Sequence, residues 1–206
     1  IYKWGVRVLK HEIYDTWFQT ETGGIMIANR PGQEIRPGSM GKPIEVIEAA
    51  ILSESGVVLE NKEIGNLCIK AGWDSMFVEY LNNKEVYEKK FKNNFYNTGD
   101  LAYRDNDGYY WFVGRNDDVI NTAGHLISPF EIESALLEIP EIAESAVIAA
   151  PDEILYEKVV AYLRLKEGLE WNDDLELKIR IHLSNKLSSI ATPQDMIVIN
   201  EIPKNK

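Results

Sequence analysis

One cysteine, Cys68, among 206 residues leaves this chain no internal disulfide and no cysteine-rich zinc site. As a lone thiol it reads as a small buried apolar side chain. Long apolar runs are missing as well. No stretch approaches the ~20 residues of a membrane span, and Ile1-Tyr2-Lys3-Trp4 lacks the layout of a signal peptide, so the expected setting is cytoplasmic. Histidine is scarce: His11, His125 and His182 lie far apart, without metal-ligand spacing. Positive charge is in short supply, with 22 Lys and Arg against 33 Asp and Glu and a formal charge of -11. Such a balance excludes a protein that binds by neutralising nucleic-acid phosphates or anionic lipid. Also absent are the G-x-x-x-x-G-K-[ST] phosphate loop, a G-x-G-x-x-G after a strand, H-E-x-x-H and G-x-S-x-G. There is no initiator Met and no terminating pattern after Pro203-Lys204-Asn205-Lys206, so the chain reads as an excised piece.

What is present is a globular composition, 45% hydrophobic, long enough for one large or two small units. The charge is unevenly spread. Residues 1–115 hold 16 acids and 14 bases, a net -2, whereas residues 116–206 hold 17 acids and 8 bases, a net -9. The first part reads as short strands and turns. Val46 to Leu52 closes on Ser53-Glu54-Ser55-Gly56 and is answered by Val57-Val58-Leu59, a hairpin signal. Gly65 to Lys70 is a further strand, and Asp105-Asn106-Asp107-Gly108 is a turn between Leu101–Tyr103 and Tyr109–Val113. Together these suggest a small barrel or sandwich, with a helix between Asn83 and Phe91. After Gly114-Arg115-Asn116-Asp117-Asp118 the pattern becomes that of a compact α+β domain. Ser128, Pro129 and Glu131 supply an N-cap, a proline at the first helical position and a capping box, predicting a helix to about Leu137. Ser145–Ala150, Lys158–Leu165 and Met196–Ile199 are strand candidates, and Leu175, Ile179 and Leu183 give Asp173–Lys186 a helical period.

Three segments are dense in polar residues and glycine. In Tyr14-Asp15-Thr16-Trp17-Phe18-Gln19-Thr20-Glu21-Thr22-Gly23-Gly24, hydroxyl donors could meet a phosphate, Glu21 a metal ion and the rings an organic group. On composition alone, a polar strand and turn is the simpler reading. Tyr96-Asn97-Thr98-Gly99-Asp100 followed by Gly114-Arg115 offers an Asp able to accept from vicinal ribose hydroxyls, or an ordinary turn Asp. Asp117 to Gly124 ends in Thr122-Ala123-Gly124, where Gly124 either admits a ligand close to the backbone or simply makes a turn.

In this order the segments YDTWFQTETGG, YNTGD, YWFVGRNDDVI, the Gly124 loop, EIESAL (Glu131–Leu136) and EIPKNK resemble AMP-forming acyl-CoA synthetases of the acetyl-CoA synthetase type, in the adenylate-forming superfamily. The resemblance covers essentially the whole chain and implies an α+β fold. Residues 1–115 would be the C-terminal part of a large domain, its β-barrel-like subdomain, residues 116–118 a hinge, and residues 119–206 a mobile C-terminal domain. It implies a ligase that converts a carboxylate and ATP into acyl-adenylate and pyrophosphate, then passes the acyl group to CoA with release of AMP. Carried over residue by residue, Thr20 would meet the α-phosphate and Glu21 would bind Mg2+. Asp15, Thr16, Trp17 and Gln19 would line the adenylate. Asp100 would accept from the ribose with Arg115 as a second nucleotide contact, Asp117 would be the hinge residue and Gly124 would line the pantetheine path of CoA. The expected partners are a small carboxylate, ATP and CoA.

Departures from the family pattern matter too. Phe18 stands where the acetate enzymes commonly carry a Trp that shortens the acyl pocket, which leaves acetate and other short-chain acids open. Ala123, Leu126 and Ser184 replace residues that are often Ser, Arg and Arg. The resemblance further implies an ATP loop upstream of Ile1 and an adenylation lysine just after Lys206, so the polypeptide alone is expected to be inactive. Lys204 and Lys206 read as a solvated tail rather than as substitutes. Alternatives are a medium-chain or branched acyl-CoA ligase and a non-catalytic module that keeps the fold.

Overall fold

A computed structural model describes residues 2–204 and separates the chain into two compact units, with the division between Asn116 and Asp117. The first unit opens with helix α1 (Tyr2–Leu9), followed by β1 (Thr16–Trp17), a 3-10 turn (Thr20–Thr22), β2 (Ile27–Ala28) and β3 (Lys42–Pro43). β1, β2 and β3 form a small antiparallel sheet in that order. Five strands then build a larger antiparallel sheet: β4 (Ala49–Leu52), β5 (Gly65–Lys70), β6 (Phe91–Lys92), β7 (Phe95–Arg104) and β8 (Tyr110–Arg115), with α2 (Lys84–Lys89) inserted before β6. Its order is β4-β5-β7-β6, and β8 also pairs with β7, giving the curled half-barrel of an α+β fold. Ile27, Leu67, Ile69 and Tyr96 are at most 1% exposed at the centre of this core.

The second unit comprises β9 (Ile120–Thr122), β10 (His125–Ile127), α3 (Pro129–Leu136), β11 (Ile142–Asp152), β12 (Tyr156–Leu165), α4 (Asp173–Lys186) and β13 (Asp195–Val198). The sheet runs β10-β9-β12-β11, with β13 joining β12 in parallel. α3 starts where the sequence marks it: the Ser128 hydroxyl accepts from the Glu131 N–H and Pro129 occupies the first turn. α4 is capped by Asn172, which accepts from the Leu175 N–H, and it buries Leu175, Ile179 and Leu183 in the core of the unit. That stripe is the period the sequence displays.

Several expectations need correction. The Val46–Leu52 strand begins only at Ala49, because Ile44 to Ile47 closes a turn through the Ile47 N–H and the Ile44 carbonyl. Val57–Leu59 forms no strand; it meets its partner through a bridge from Leu52 to Val58. Helix α1 is not legible in the sequence, since Gly5, a poor helix former, sits in its middle. The glycine makes room for Ile13, whose Cδ1 would collide with a Cβ at position 5. At the other end, Lys204 is exposed and pairs with Glu144 at 3.3 Å, while Lys206 lies outside the described residues.

Candidate active site

In the first unit the polar segments converge on the Asp100 carboxylate. β7 carries a bulge here: Asn66 of β5 pairs with Leu101 and Cys68 with Asn97, so Leu67 faces Thr98 to Asp100. Side chains hold the irregular backbone. The Thr98 hydroxyl donates to the Leu67 carbonyl at 2.8 Å and accepts from the Asp100 N–H, while Asn97 Oδ1 accepts from the Gly99 N–H. Gly99 takes φ +80°, a left-handed conformation that glycine adopts without strain. Bulges of this kind re-aim the next side chain, in this case Asp100.

Asp100 is only 4% exposed, so its carboxylate needs donors. Trp17 Nε1 donates to Oδ2 at 2.8 Å and Gln19 Nε2 donates to the same oxygen at 3.1 Å. Arg115, its cross-strand partner on β8, brings NH1 to 3.6 Å from Oδ1. Trp17, Gln19, Asp100 and Arg115 therefore form one constellation. Trp17 is buried in the core, and its indole orients the carboxylate. Asp15 and Thr16 are exposed at the start of β1, and Phe18, which follows the inward-facing Trp17, is 60% exposed.

Thr20 and Glu21 begin the 3-10 turn that follows Gln19. Thr22, fully buried, donates its hydroxyl to the Gln19 and Gly24 carbonyls and accepts from the Gln19 N–H. The Thr22 carbonyl accepts from Trp73 Nε1 at 3.0 Å and from the Ser75 hydroxyl at 2.7 Å. Gly23 ends the turn at φ +63°, pressed so closely on Ser75 that a Cβ would collide with its carbonyl oxygen. Thr20 is left exposed, and Glu21 is half-buried with Oε1 accepting from the Tyr80 hydroxyl at 2.7 Å. A second tyrosine, Tyr96, donates to Gln19 Oε1 at 3.1 Å. Trp73, Ser75 and Tyr80 lie in a segment without any motif, and nothing in the sequence signals their part in the site.

Whether Mg2+ suits Glu21 can be judged from the donor set. Among the described residues no cluster of three or more His, Cys, Asp or Glu could hold a metal by protein ligands alone. A magnesium ion bound through one carboxylate takes its remaining ligands from water and substrate phosphates, which a single half-buried Glu beside an exposed Thr satisfies. The residues present fit.

In the second unit, Thr122 and His125 pair across a two-residue loop, Ala123-Gly124, with both loop residues exposed and at positive φ, +50° and +82°. The Ala123 N–H donates to the Leu155 carbonyl at 2.8 Å. Leu126 and Ser184 are exposed as well. Asp117 is the first residue of this unit, and the Glu133 carboxylate of the EIESAL segment accepts from the Val147 N–H on β11 at 2.8 Å. His182 bonds the Ala135 carbonyl through Nε2 at 3.1 Å. In the first unit Cys68 is buried, and desolvation pushes its thiol up to about 12.

Comparison with known proteins bears on this geometry. The model of the AMP-binding enzyme family matches residues 1–81, and that of the AMP-binding enzyme C-terminal domain matches residues 131–206. The chain is 44% identical over 207 aligned residues to an acetyl-coenzyme A synthetase of Bacillus subtilis, covering all of this chain and 36% of that protein. It is 40% identical to the mitochondrial acyl-coenzyme A synthetase ACSM4 of Rattus norvegicus, over 94% of this chain and 34% of that one. The chain thus spans about a third of the length of the curated relatives it matches. Among solved structures, an anthranilate CoA ligase in complex with anthranoyl-AMP superposes with a TM-score of 0.87 at 33% identity, over 99% of this chain and 38% of the other. An o-succinylbenzoate CoA synthetase from Bacillus subtilis, in complex with its acyl-adenylate intermediate, gives 0.86 at 28% identity, over 97% and 40%. The same enzyme has been seen with ATP and a magnesium ion.

Proposed function

We propose, for a chain that belongs to the AMP-binding enzyme family, that it carries the ribose and cation side of an AMP-forming ligase that activates acetate or a similar short acid. The reaction has two halves. The carboxylate attacks the α-phosphorus of ATP, forming acyl-adenylate and expelling pyrophosphate; the CoA thiolate then attacks the acyl carbon, forming the thioester and expelling AMP. The observation that carries the reading is Asp100, a buried carboxylate held by Trp17 and Gln19 beside Arg115. A carboxylate fixed in this manner is suited to accept from the two vicinal hydroxyls of a ribose, with Arg115 as the second nucleotide contact.

Thr20 offers its hydroxyl to the α-phosphate from an exposed, braced turn, and Glu21 is the residue that would hold magnesium. When bound, that ion supplies charge neutralisation for the phosphates during attack. Asp15 and Thr16 line the adenylate, Phe18 shapes the acyl pocket, and Gly124 lines the pantetheine path. Asp117 is the hinge about which the second unit turns between the half-reactions. The setting is cytoplasmic. The 206-residue chain, which spans about a third of the length of its curated relatives, makes no acyl-adenylate on its own.

Thioester formation by the full-length protein, measured across acids of two to eight carbons, tests this reading. A maximum at two or three carbons is expected, and one above four carbons overturns the choice of substrate. The exposed Phe18 and the likeness to an acyl-coenzyme A synthetase favour a medium-chain or branched acid as the second reading. Thioester from none of the acids would point to a non-catalytic module, for which Ala123, Leu126 and Ser184 are the motivating residues.

A further inference from the structure

The Glu21 carboxylate does not stand alone. Its Oε1 accepts from the Tyr80 hydroxyl at 2.7 Å, and among the described residues Oε2 has no protein donor. The Tyr80 ring is wedged against Phe77, with centroids 5.1 Å apart, and Phe77 itself packs on Tyr87, Phe91 and Tyr96. The ring is therefore set by aromatic packing, independently of its hydroxyl. Tyr96, which packs on the same Phe77, donates to Gln19, which donates to Asp100.

We propose that Tyr80 is a positioning residue for the cation: its hydroxyl holds Oε1 of Glu21 and leaves Oε2 as the oxygen that meets magnesium. The inference rests on the reading of Glu21 as the magnesium ligand. A phenol suits the task. It donates without neutralising the carboxylate, whereas a lysine or arginine would cancel the charge the cation needs. A phenol keeps its proton, and so remains a donor, throughout the neutral range.

The test uses the full-length protein and isothermal titration calorimetry with ATP, once with magnesium and once with EDTA, for wild type, Tyr80→Phe, Glu21→Gln and the double variant. Wild type is expected to bind ATP more tightly with magnesium, and Glu21→Gln to lose that gain. Tyr80→Phe, which keeps the ring, should reduce the gain about tenfold or remove it if it is smaller, in line with a hydrogen bond to a charged group. Its affinity for ATP in EDTA should stay within about twofold of wild type, because the bond it loses bears on the cation. Added to Glu21→Gln, the Tyr80 change should have no further effect, since the group it positions is already gone. A full magnesium gain in Tyr80→Phe overturns the inference, as does an equal loss in EDTA, which would mark a merely structural role. If Glu21→Gln keeps the gain, the assignment of Glu21 fails first and the role of Tyr80 falls with it.

Discussion

Replacing Ala123 by asparagine should make the second unit more stable, for a reason that lies in its backbone. Ala123 occupies the first position of a two-residue β-hairpin loop whose flanking residues, Thr122 and His125, are paired. Both loop residues have positive φ, +50° for Ala123 and +82° for Gly124, the arrangement of a type I′ turn. An alanine there sets its Cβ against the following carbonyl, at about 1–2 kcal/mol. Asparagine tolerates the conformation better, and Asn-Gly is the favoured pair for this turn. Ala123 is exposed and its N–H bond to Leu155 involves only backbone, so the larger side chain displaces nothing. Ala123→Asn should therefore gain roughly 0.5–1 kcal/mol. For a unit of this size that is a rise of about 2–8 °C in its unfolding midpoint, read by scanning calorimetry. Gly124→Ala is the counterpart. No atom lies within 4 Å of the added Cβ, so steric crowding predicts no change, whereas the positive φ predicts a loss of about 1 kcal/mol. A neutral or destabilising Ala123→Asn together with a neutral Gly124→Ala would refute the left-handed loop.

Two further substitutions test how the rest of the chain is braced. Gly23→Ala meets both obstacles at once, φ +63° and a collision with the Ser75 carbonyl oxygen, and should cost about 2 kcal/mol or more in urea unfolding; a loss below about 0.5 kcal/mol would mean the turn and the Ser75 segment are not packed together. Burial raises the Glu133 carboxyl above its ordinary value; the Val147 N–H offsets this in part and the Asp118 charge adds to it. The unfolded chain then ionises at lower pH than the folded one, so ionisation of Glu133 weakens the fold as pH rises through this window. Glu133→Gln keeps an acceptor for Val147 and should stabilise the protein at pH 7, with the advantage disappearing below the ordinary glutamate range; a midpoint difference that is constant with pH would show that titration plays no part.

What the sequence discloses and what it hides follow from the reach of each interaction. The start of α3 is legible because its chemistry spans three residues, from the Ser128 hydroxyl to the Glu131 N–H. α4 is legible because Leu175, Ile179 and Leu183 report one buried face. Ordered motifs bring Asp100 and Glu21 to notice, but not what holds them. Trp17 and Asp100 are 83 positions apart, and Glu21 and Tyr80 are 59 apart; no periodicity links either pair. The Thr98–Asp100 bulge is hidden for a related reason. A left-handed glycine beside an Asp looks like a turn, and only pairing with β5 on one side and β8 on the other keeps the strand going through it.

Two carboxylates of the first unit show how the choice of donor separates an acid whose charge is neutralised from one whose charge is left in place. Arg36 reaches Asp105 at 2.8 Å and Asp107 at 2.7 Å, and its guanidinium also lies 4.4 Å over the Tyr109 ring. Burial alone would raise the Asp105 carboxyl, but the Tyr109 N–H, the Trp111 indole and Arg36 together bring it below its ordinary value. The positive charge there is used up in fixing a turn. Glu21 is instead held by a phenol, the Tyr80 hydroxyl. A neutral donor orients a partly desolvated carboxylate yet leaves its negative charge in place. A carboxylate that only had to be fixed would gain from a close cation, as Asp105 does from Arg36. One whose charge is to stay available would lose by it, and the phenol at Glu21 leaves that charge in place where the guanidinium at Asp105 does not.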